Sequence, residues 1–393
     1  MSDLQFMRMA LRLARRGYGA TSPNPMVGAV LVKGDQMIGR GWHRRAGEPH
    51  AEIEALRDAE KRGHSPRGAT IYVTLEPCST HGRTPPCTGA IIAAGVNRVV
   101  VGTTDPNPKH AGQGFKILQA AGVKSVGLSN GKVSPAKASA QRLADECLRL
   151  NEAFNHWIVR RTPLVTVKAA MTLDGKIATA DGESKWITGA AAREQGMKLR
   201  QGSDAILVGV NTILADDPVL TVRAKQADGG WRVVKPLRRI VLDSQARTPL
   251  TAKVVSDVHA AWTTIVVGKQ APKRRVAALA KRVRVLVAPS RPAAGSALDL
   301  RWLLKRLGTE QVTALLVEGG GEVNASFLLG GLAQRVVFAY APKILGGREA
   351  RKAVAGEGAK SLDEMIRLRD VTWRQVGEDL LLEAAVENAK LKI

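Results

Sequence analysis

The stretch GEPHAEIEAL, residues 47–56, sets His50, Ala51 and Glu52 directly behind a proline, at the start of a helical pattern. An amphipathic helix needs no imidazole at its first turn, so the meaning of His50 turns on which other side chains lie downstream. The segment LEPCSTHGRTPPC, residues 75–87, supplies Cys78 and, after eight intervening residues, Cys87. One imidazole and two thiolates suit zinc, and three protein ligands leave a fourth position open, the mark of a catalytic site. Both segments fall at predicted helix starts, where prolines such as Pro49 and Pro85-Pro86 are tolerated. The positive ends of two helices favour thiolate over thiol.

Glu52 completes the pattern. Two positions after a ligand on a helix it does not share that ligand's face, yet at a first turn its longer side chain reaches the open position. Zinc lowers the pKa of water towards ~7, and a neighbouring carboxylate can carry the proton from nucleophile to leaving group. H-x-E with P-C-x-x-C is the signature of zinc nucleobase deaminases; here the second element is P-C-x8-C, a longer loop. The plain alternative is a buried histidine with two core cysteines, which HAE followed by EPC and PPC argues against. Asn24, in NPMVGAVLV (24–32), stands before a strand, placed to bond the edge of a flat polar ring. His43, His81 and Arg83 are further candidates for substrate contacts, whereas His64, His110, His156, His259 and Cys147 read as structural.

The surrounding pattern is helix and strand in turn. MVGAVLV (26–32), ATIYVTL (69–75) and RVVVGT (98–103) read as strands; HAEIEALRDAEKRG (50–63), CTGAIIAAG (87–95) and about 134–156 read as helices. Alternation of this kind argues for an α/β layered domain. Pro163 opens a second series, with strands predicted at 164–170, 205–210, 238–243, 263–268, 283–288 and 313–319, then late, antiparallel candidates at 335–342 and 379–386. Between 221 and 237 the pattern is weak and reads as a long loop. With 393 residues, two domains are expected, 1–155 and 156–393, the boundary falling within 155–163. No apolar run approaches ~18 residues, which argues against a membrane span, and Arg8 and Arg12 interrupt the N-terminal apolar pattern, so a soluble, cytoplasmic protein is expected. The net charge of +24 invites a nucleic-acid reading, but it is spread over both halves with no basic tail. A field of that sign also suits small phosphorylated substrates.

NPMVGAV, GWH, GEPHAE, TLEPCSTHGRTPPC and DPNP (105–108) together resemble the cytidine-deaminase-like domain of riboflavin biosynthesis. The later stretches VTVKAAMTLDGKIAT, GESKWIT, LVGVNTILADDPVLTVR, IVLDS, VEGGG and YAPKILGG resemble the reductase domain of the same bifunctional deaminase–reductase family. The resemblance covers nearly the whole chain. It implies an α/β chain with an N-terminal cytidine-deaminase-like zinc domain followed by a dihydrofolate-reductase-like reductase domain. The implied activities are hydrolytic deamination of diaminohydroxyphosphoribosylaminopyrimidine, then NADPH-dependent reduction of the ribosyl side chain of the aminouracil product to ribityl. It further implies zinc on His50, Cys78 and Cys87, with Glu52 as proton shuttle. NADPH rather than NADH is implied by the family alone.

In the second half, ALLVEGGGEVNASFLLGG runs strand, glycines, helix: Gly319, Gly320 and Gly321 let the backbone approach an anion, and the helix after them offers unpaired N–H groups. This is not G-x-G-x-x-G, so a Rossmann reading lacks support. The resemblance implies cofactor contacts at Ala170, Trp186, Thr212, Asp216, Ser244, Gly320, Gly321, Glu322, Val323, Asn324, Ala325 and Ser326. It implies substrate contacts at Ser184, Arg200, Leu220, Arg223 and Glu318. Arg200 and Arg223 suit a ribose phosphate as charge-assisted forks, and Lys168 and Asp174 are candidate proton donors or orienting groups. The rivals are a nucleic-acid base deaminase fused to an unrelated domain and a non-catalytic zinc-stabilised binding module. The expected partners are a small phosphorylated pyrimidine and further copies of the chain, with neither nucleic acid nor membrane.

Overall fold

The chain separates into two compact units, residues 1–161 and 162–393. The computed structural model describes residues 2–81, 85–128, 135–225, 231–289 and 298–387.

Unit 1 contains α1 (Asp3–Ala14), β1 (Gly28–Lys33), β2 (Gln36–Trp42), α2 (Ala51–Lys61), β3 (Thr70–Val73), α3 (Cys87–Ala93), β4 (Arg98–Val101), α4 (Gln113–Ala120), β5 (Lys124–Gly127), α5 (Pro135–Leu150) and α6 (Glu152–Arg160). The sheet order is β2-β1-β3-β4-β5, antiparallel from β2 to β3 and parallel from β3 to β5. Side chains alternate across a strand, and the two faces separate accordingly. Ala29, Leu31, Ile71, Val73, Val99 and Val101 pack with residues of α2, α3 and α4, whereas Val30, Val32, Tyr72 and Val100 pack with α1 and α5. On α2 the small residues Ala51, Ala55 and Ala59 recur every four positions and are fully buried. They meet bare glycines: a Cβ at Gly41 would lie 2.4 Å from the Ala51 carbonyl oxygen, and one at Gly39 2.3 Å from that of Ala55. The missing side chains let α2 lie flat on β2, which fixes the amino end of the helix.

The sequence-based elements β1, α2, β3, α3 and β4 are present. The apolar pattern does not announce β2, α4 and β5: Gly39 and Gly41 break the alternation of β2, and β5 is short and half exposed. The single helix expected over about 134–156 is two, interrupted at Asn151. Its side chain accepts from the Met26 N–H (2.7 Å) and donates to the Met26 carbonyl (2.9 Å), tying the break to the approach to β1.

Unit 2 contains β6 (Leu164–Thr172), β7 (Lys176–Ala178), α7 (Ala190–Gln201), β8 (Ala205–Gly209), α8 (Val210–Asp216), β9 (Val222–Lys225), β10 (Trp231–Lys235), β11 (Arg238–Leu242), α9 (Lys253–Ser256) and β12 (Thr263–Gly268). It continues with α10 (Lys273–Ala280), β13 (Arg284–Ala288), α11 (Leu300–Thr309), β14 (Ala314–Val317), α12 (Gly321–Leu328), β15 (Arg335–Ala341), β16 (Arg351–Lys352), β17 (Arg367–Val376) and β18 (Asp379–Glu387). Its main sheet has the order β13-β12-β11-β8-β14-β6-β15-β18-β17, parallel from β13 to β15. The late strand β15 is therefore parallel to β6 and antiparallel only to β18. Parallel strands buried on both faces read as continuous apolar runs, as AILVG and ALLV do. One face packs on α11 and α12, the other on α8, α9 and α10.

Residues 221–237 are not a long loop. β9 and β10 pair antiparallel, with Val233 opposite Arg223 and Trp231 opposite Lys225. Arginine and lysine between the β-branched valines mask the strand pattern, and the hairpin stands outside the main sheet, though Val222 enters the core. β17 is equally hidden from pattern reading; apart from Val376 every one of its residues is exposed. Among the described residues no helix is long and apolar enough to cross a membrane.

Candidate metal centre and reductase cleft

His50 is the residue capping α2 at its amino end, with extended backbone (φ −71°, ψ 164°). Pro49 and Pro86 therefore precede the helices rather than occupy their first turns, and Cys87 is the first residue of α3. His50 Nδ1 lies 3.5 Å from Cys78 Sγ and 3.3 Å from Cys87 Sγ, and the three ligand atoms fall within 4.8 Å of one another. Tetrahedral zinc with ordinary Zn–N and Zn–S bonds separates such atoms by about 3.5 Å. The Cys87 N–H donates to Cys78 Sγ (3.2 Å), and Thr88 holds the Cys78 carbonyl through N–H and Oγ1 at 3.2 and 3.3 Å. Hydrogen bonding from Cys87 and the nearby imidazole hold the Cys78 thiol down to about 4 despite its burial. The same contact, with burial and the Glu52 carboxylate, pushes Cys87 up. Two thiols this close do not ionise together unaided. A divalent cation accepting both removes the conflict, so the donor set fits zinc.

Glu52 lies in the first turn of α2, 3% exposed. Burial, then the Cys78 thiolate, raises its carboxyl to about 7, against the lowering effect of His50 and a hydrogen bond with Cys87. Behind it His43 is buried, its ring edge-on to His50 at 5.3 Å between centroids. Nδ1 faces the Pro49 carbonyl at 3.1 Å and Nε2 faces Asn24 Nδ2 at 3.2 Å. A carbonyl only accepts and an amide nitrogen only donates, so His43 is the Nδ1–H tautomer and neutral, in keeping with the downward pull of burial on its pKa. Asn24 does bond the edge of a flat ring, that of His43. His81 is exposed, and Arg83 lies outside the described residues. One residue escapes sequence reasoning: buried Glu76 accepts from the N–H groups of Asp105 and Gly112 (both 3.0 Å) and Gly114 (2.8 Å), clamping the DPNP loop against the Cys78 segment. Only its place between Leu75 and Pro77 hints at this.

In unit 2 a cavity of about 710 Å³ opens between the amino ends of α8 and α12. Its walls include Ser184, Thr212, Asp216, Gly320, Gly321, Glu322 and Val323. Nearby, Arg200 and Glu318 form a buried two-pronged pair, Nε to Oε1 at 3.1 Å and Nη2 to Oε2 at 2.7 Å, with Nη1 donating to the Thr221 carbonyl at 3.2 Å. Burial alone would raise Glu318, but the charges of Arg200 and Lys168 outweigh it and hold the carboxyl at about 2.

A family model described as the cytidine and deoxycytidylate deaminase zinc-binding region matches residues 1–103, and one described as the RibD C-terminal domain matches residues 163–382. The riboflavin biosynthesis protein RibD of Actinobacillus pleuropneumoniae is 41% identical over 98% of this chain and 96% of its own length. The chain belongs to the RibD family. That of Escherichia coli strain K12 is 39% identical, covering 97% of this chain and 99% of the relative. Among solved structures, Acinetobacter baumannii RibD (form 1) is 35% identical and covers 98% of this chain and 99% of its own, with a TM-score of 0.81. A Thermotoga maritima diaminohydroxyphosphoribosylaminopyrimidine deaminase/5-amino-6-(5-phosphoribosylamino)uracil reductase is 31% identical, with the same coverage and a TM-score of 0.76.

As a RibD protein the chain is a bifunctional enzyme of riboflavin biosynthesis, a zinc-dependent deaminase and an NADPH-dependent reductase acting on a small phosphorylated pyrimidine. The order expected from the sequence, a cytidine-deaminase-like zinc domain followed by a reductase domain, is borne out. A base deaminase fused to an unrelated domain is not favoured, because the likeness to RibD runs through both halves. The cleft fits a nicotinamide dinucleotide: its wall takes in residues 209–216 and the amino end of α12, and at Gly320 the space a side chain would fill is open.

Of the reductase positions implied by the RibD resemblance, Ser184, Thr212, Asp216 and Gly320 to Val323 share the cavity wall. The others stand elsewhere. Ala170 packs against the Val337–Leu381 cluster, and Trp186 is 67% exposed with the Arg193 guanidinium 4.6 Å from its ring centre. Ser244 offers its carbonyl to the Gly268 N–H. Asn324 is fully buried and donates to the Ala353 carbonyl (2.8 Å), Ala325 is buried, and Ser326 donates to the Glu322 carbonyl (2.8 Å). Leu220 is buried with φ +53°. Arg223 is exposed, its pKa lowered by partial burial and by the like charge of Arg200. Arg200 does not present an open fork to a phosphate, because Glu318 already fills it. Asp174 is occupied by hydrogen bonds. It accepts from Thr172 Oγ1 (2.6 Å) and from the N–H groups of Leu345 (3.1 Å) and Gly346 (2.8 Å), and these bonds hold its carboxyl at about 2. It pins the 343–347 loop to β6.

Proposed function

We propose that residues 1–155 hydrolyse the exocyclic amine of diaminohydroxyphosphoribosylaminopyrimidine, and that residues 156–393 reduce the ribosyl side chain of the aminouracil product to ribityl. The observation that carries the reading is the convergence of His50, Cys78 and Cys87 beside a buried carboxyl with a pKa near neutrality. The naming of the Thermotoga maritima relative for both steps supports it. In this reading His50, Cys78 and Cys87 hold zinc, which when bound supplies a Lewis acid for the hydrolysis. Glu52 takes a proton from the attacking water on its carboxylate and returns it to the departing amine. Neutral His43, braced by Asn24 and Pro49, keeps the His50 ring in place. In the reductase half the cavity holds NADPH, and exposed Arg223 offers its charge to the phosphorylated sugar while Arg200 and Glu318 stay closed on each other. Lys168 remains the candidate proton donor, its ammonium near enough to Glu318 to favour the carboxylate.

The purified zinc-loaded chain, given the diamino-pyrimidine phosphate and NADPH, is expected to release ammonia before it oxidises cofactor. RNA binding with a steep salt dependence, without cofactor turnover, would instead support the nucleic-acid rival. The reading places the protein in the cytoplasm, with neither nucleic acid nor membrane as partner, and as a homo-oligomer. Support for the last comes from Leu368, Trp373 and Leu380, which expose apolar surface at one end of the sheet, where an uncovered edge strand invites pairing. Sedimentation equilibrium should give more than one chain's mass; a monomer at micromolar concentration removes this part of the reading.

A further inference from the structure

We infer that Arg351 binds a phosphate of the nicotinamide cofactor. Arg351 and Lys352 bring the only arginine and lysine side chains to the cavity wall among its described residues. Their segment is fixed in place. β16 pairs with β7, Arg351 opposite Ala178, and the Ala353 N–H donates to the Gly175 carbonyl at 3.0 Å. Fully buried Asn324 holds the Ala353 carbonyl from α12, and the Ala355 N–H donates to the Gly321 carbonyl at 3.1 Å. Gly321 leaves no gap either: a Cβ there would lie 2.3 Å from the Lys352 carbonyl oxygen. The strand is thus strapped to the amino end of α12, whose first residues line the cavity.

From this strand the Arg351 guanidinium lies against the turn that follows β7, where Nη2 comes within 3.2 Å of a Cβ built on Gly182. A side chain at position 182 would meet it. Among the described residues no carboxylate forms an ion pair with it. The acids of the wall are engaged elsewhere: Asp216 pairs with Lys185 at 3.2 Å, and Glu322 faces the Gly356 N–H at 3.4 Å. A guanidinium with no ion pair among the described residues, on the wall of a cavity that the amino end of α12 also lines, suits an anion, and its fork suits phosphate. Both the pyrophosphate and the 2′-phosphate of NADPH have this chemistry.

The inference rests on the reductase reading, and the test separates the two. Dissociation constants of the full zinc-loaded chain for NADPH, NADH and the substrate phosphate would be measured by fluorescence titration for wild type, Arg351→Gln and Arg351→Lys. Ammonia release and thermal midpoint serve as folding controls. Arg351→Gln should weaken NADPH by about ten- to a hundredfold, the loss of one charge-assisted hydrogen-bond pair, and Arg351→Lys should recover part of it. An equal loss for NADH assigns the pyrophosphate, and a loss confined to NADPH assigns the 2′-phosphate. Unchanged NADPH affinity in Arg351→Gln, or a loss seen only for the pyrimidine phosphate, overturns the assignment. A wild-type chain that binds no NADPH overturns the reductase reading along with it.

Discussion

Glu52→Gln is expected to slow deamination by about 10²–10⁴-fold while reduction of already deaminated substrate continues at the wild-type rate. The amide keeps the size of the side chain and the burial of the α2 first turn, but it cannot take up and return a proton. The variant should retain zinc, since Glu52 is not one of the three converging ligands. Because the cleft lies wholly within residues 162–393 and the metal centre within 1–161, the two activities should respond independently. The check is ammonia release, cofactor oxidation and metal content on one folded preparation. Loss of both activities with zinc retained would contradict the separation of sites, and unimpaired deamination would remove Glu52 from the chemistry.

Glu318→Gln should destabilise the reductase half by about 3–5 kcal/mol, the cost of leaving one member of a buried ion pair without its counterpart. Arg200 would keep its charge among buried neighbours, its side chain only 13% exposed. The pH dependence should change as well. The folded pKa of Glu318, about 2, lies below its ordinary 4.5. Its contribution is therefore full above pH 4.5 and fades as the pH falls towards 2, a loss on the order of 3 kcal/mol. Calorimetry in acid should show that slope in wild type and a flatter one in the variant. Identical acid profiles would mean that the pair does not stabilise the fold.

The two halves differ in how far the sequence discloses their sites. At the candidate metal centre the three side chains lie in short segments at helix starts, so local pattern and chemistry single out His50, Cys78 and Cys87 before any contact is known. The clamp by Glu76 was not legible, because its three N–H partners lie about thirty to forty residues away and a lone glutamate before a proline has no characteristic spacing. The cleft is assembled from five separate stretches, 177–184, 209–216, 242, 320–323 and 351–355. Arg351, in a two-residue strand, carries no periodicity at all. The same limit explains the exposed strand β17: without a buried face, apolar alternation is not imposed and the signal vanishes.

The sequence by itself determined the alternation of helix and strand, the division into two units and the candidate zinc-ligand set, since each follows from side-chain periodicity or from ligand chemistry within a short span. Only the tertiary structure decided which charges are available. Arg200 is closed by Glu318, Asp174 is occupied by backbone N–H groups, and Arg351 faces the cleft. Burial and through-space Coulomb interactions set those states, and both depend on distances that the order of residues along the chain does not contain.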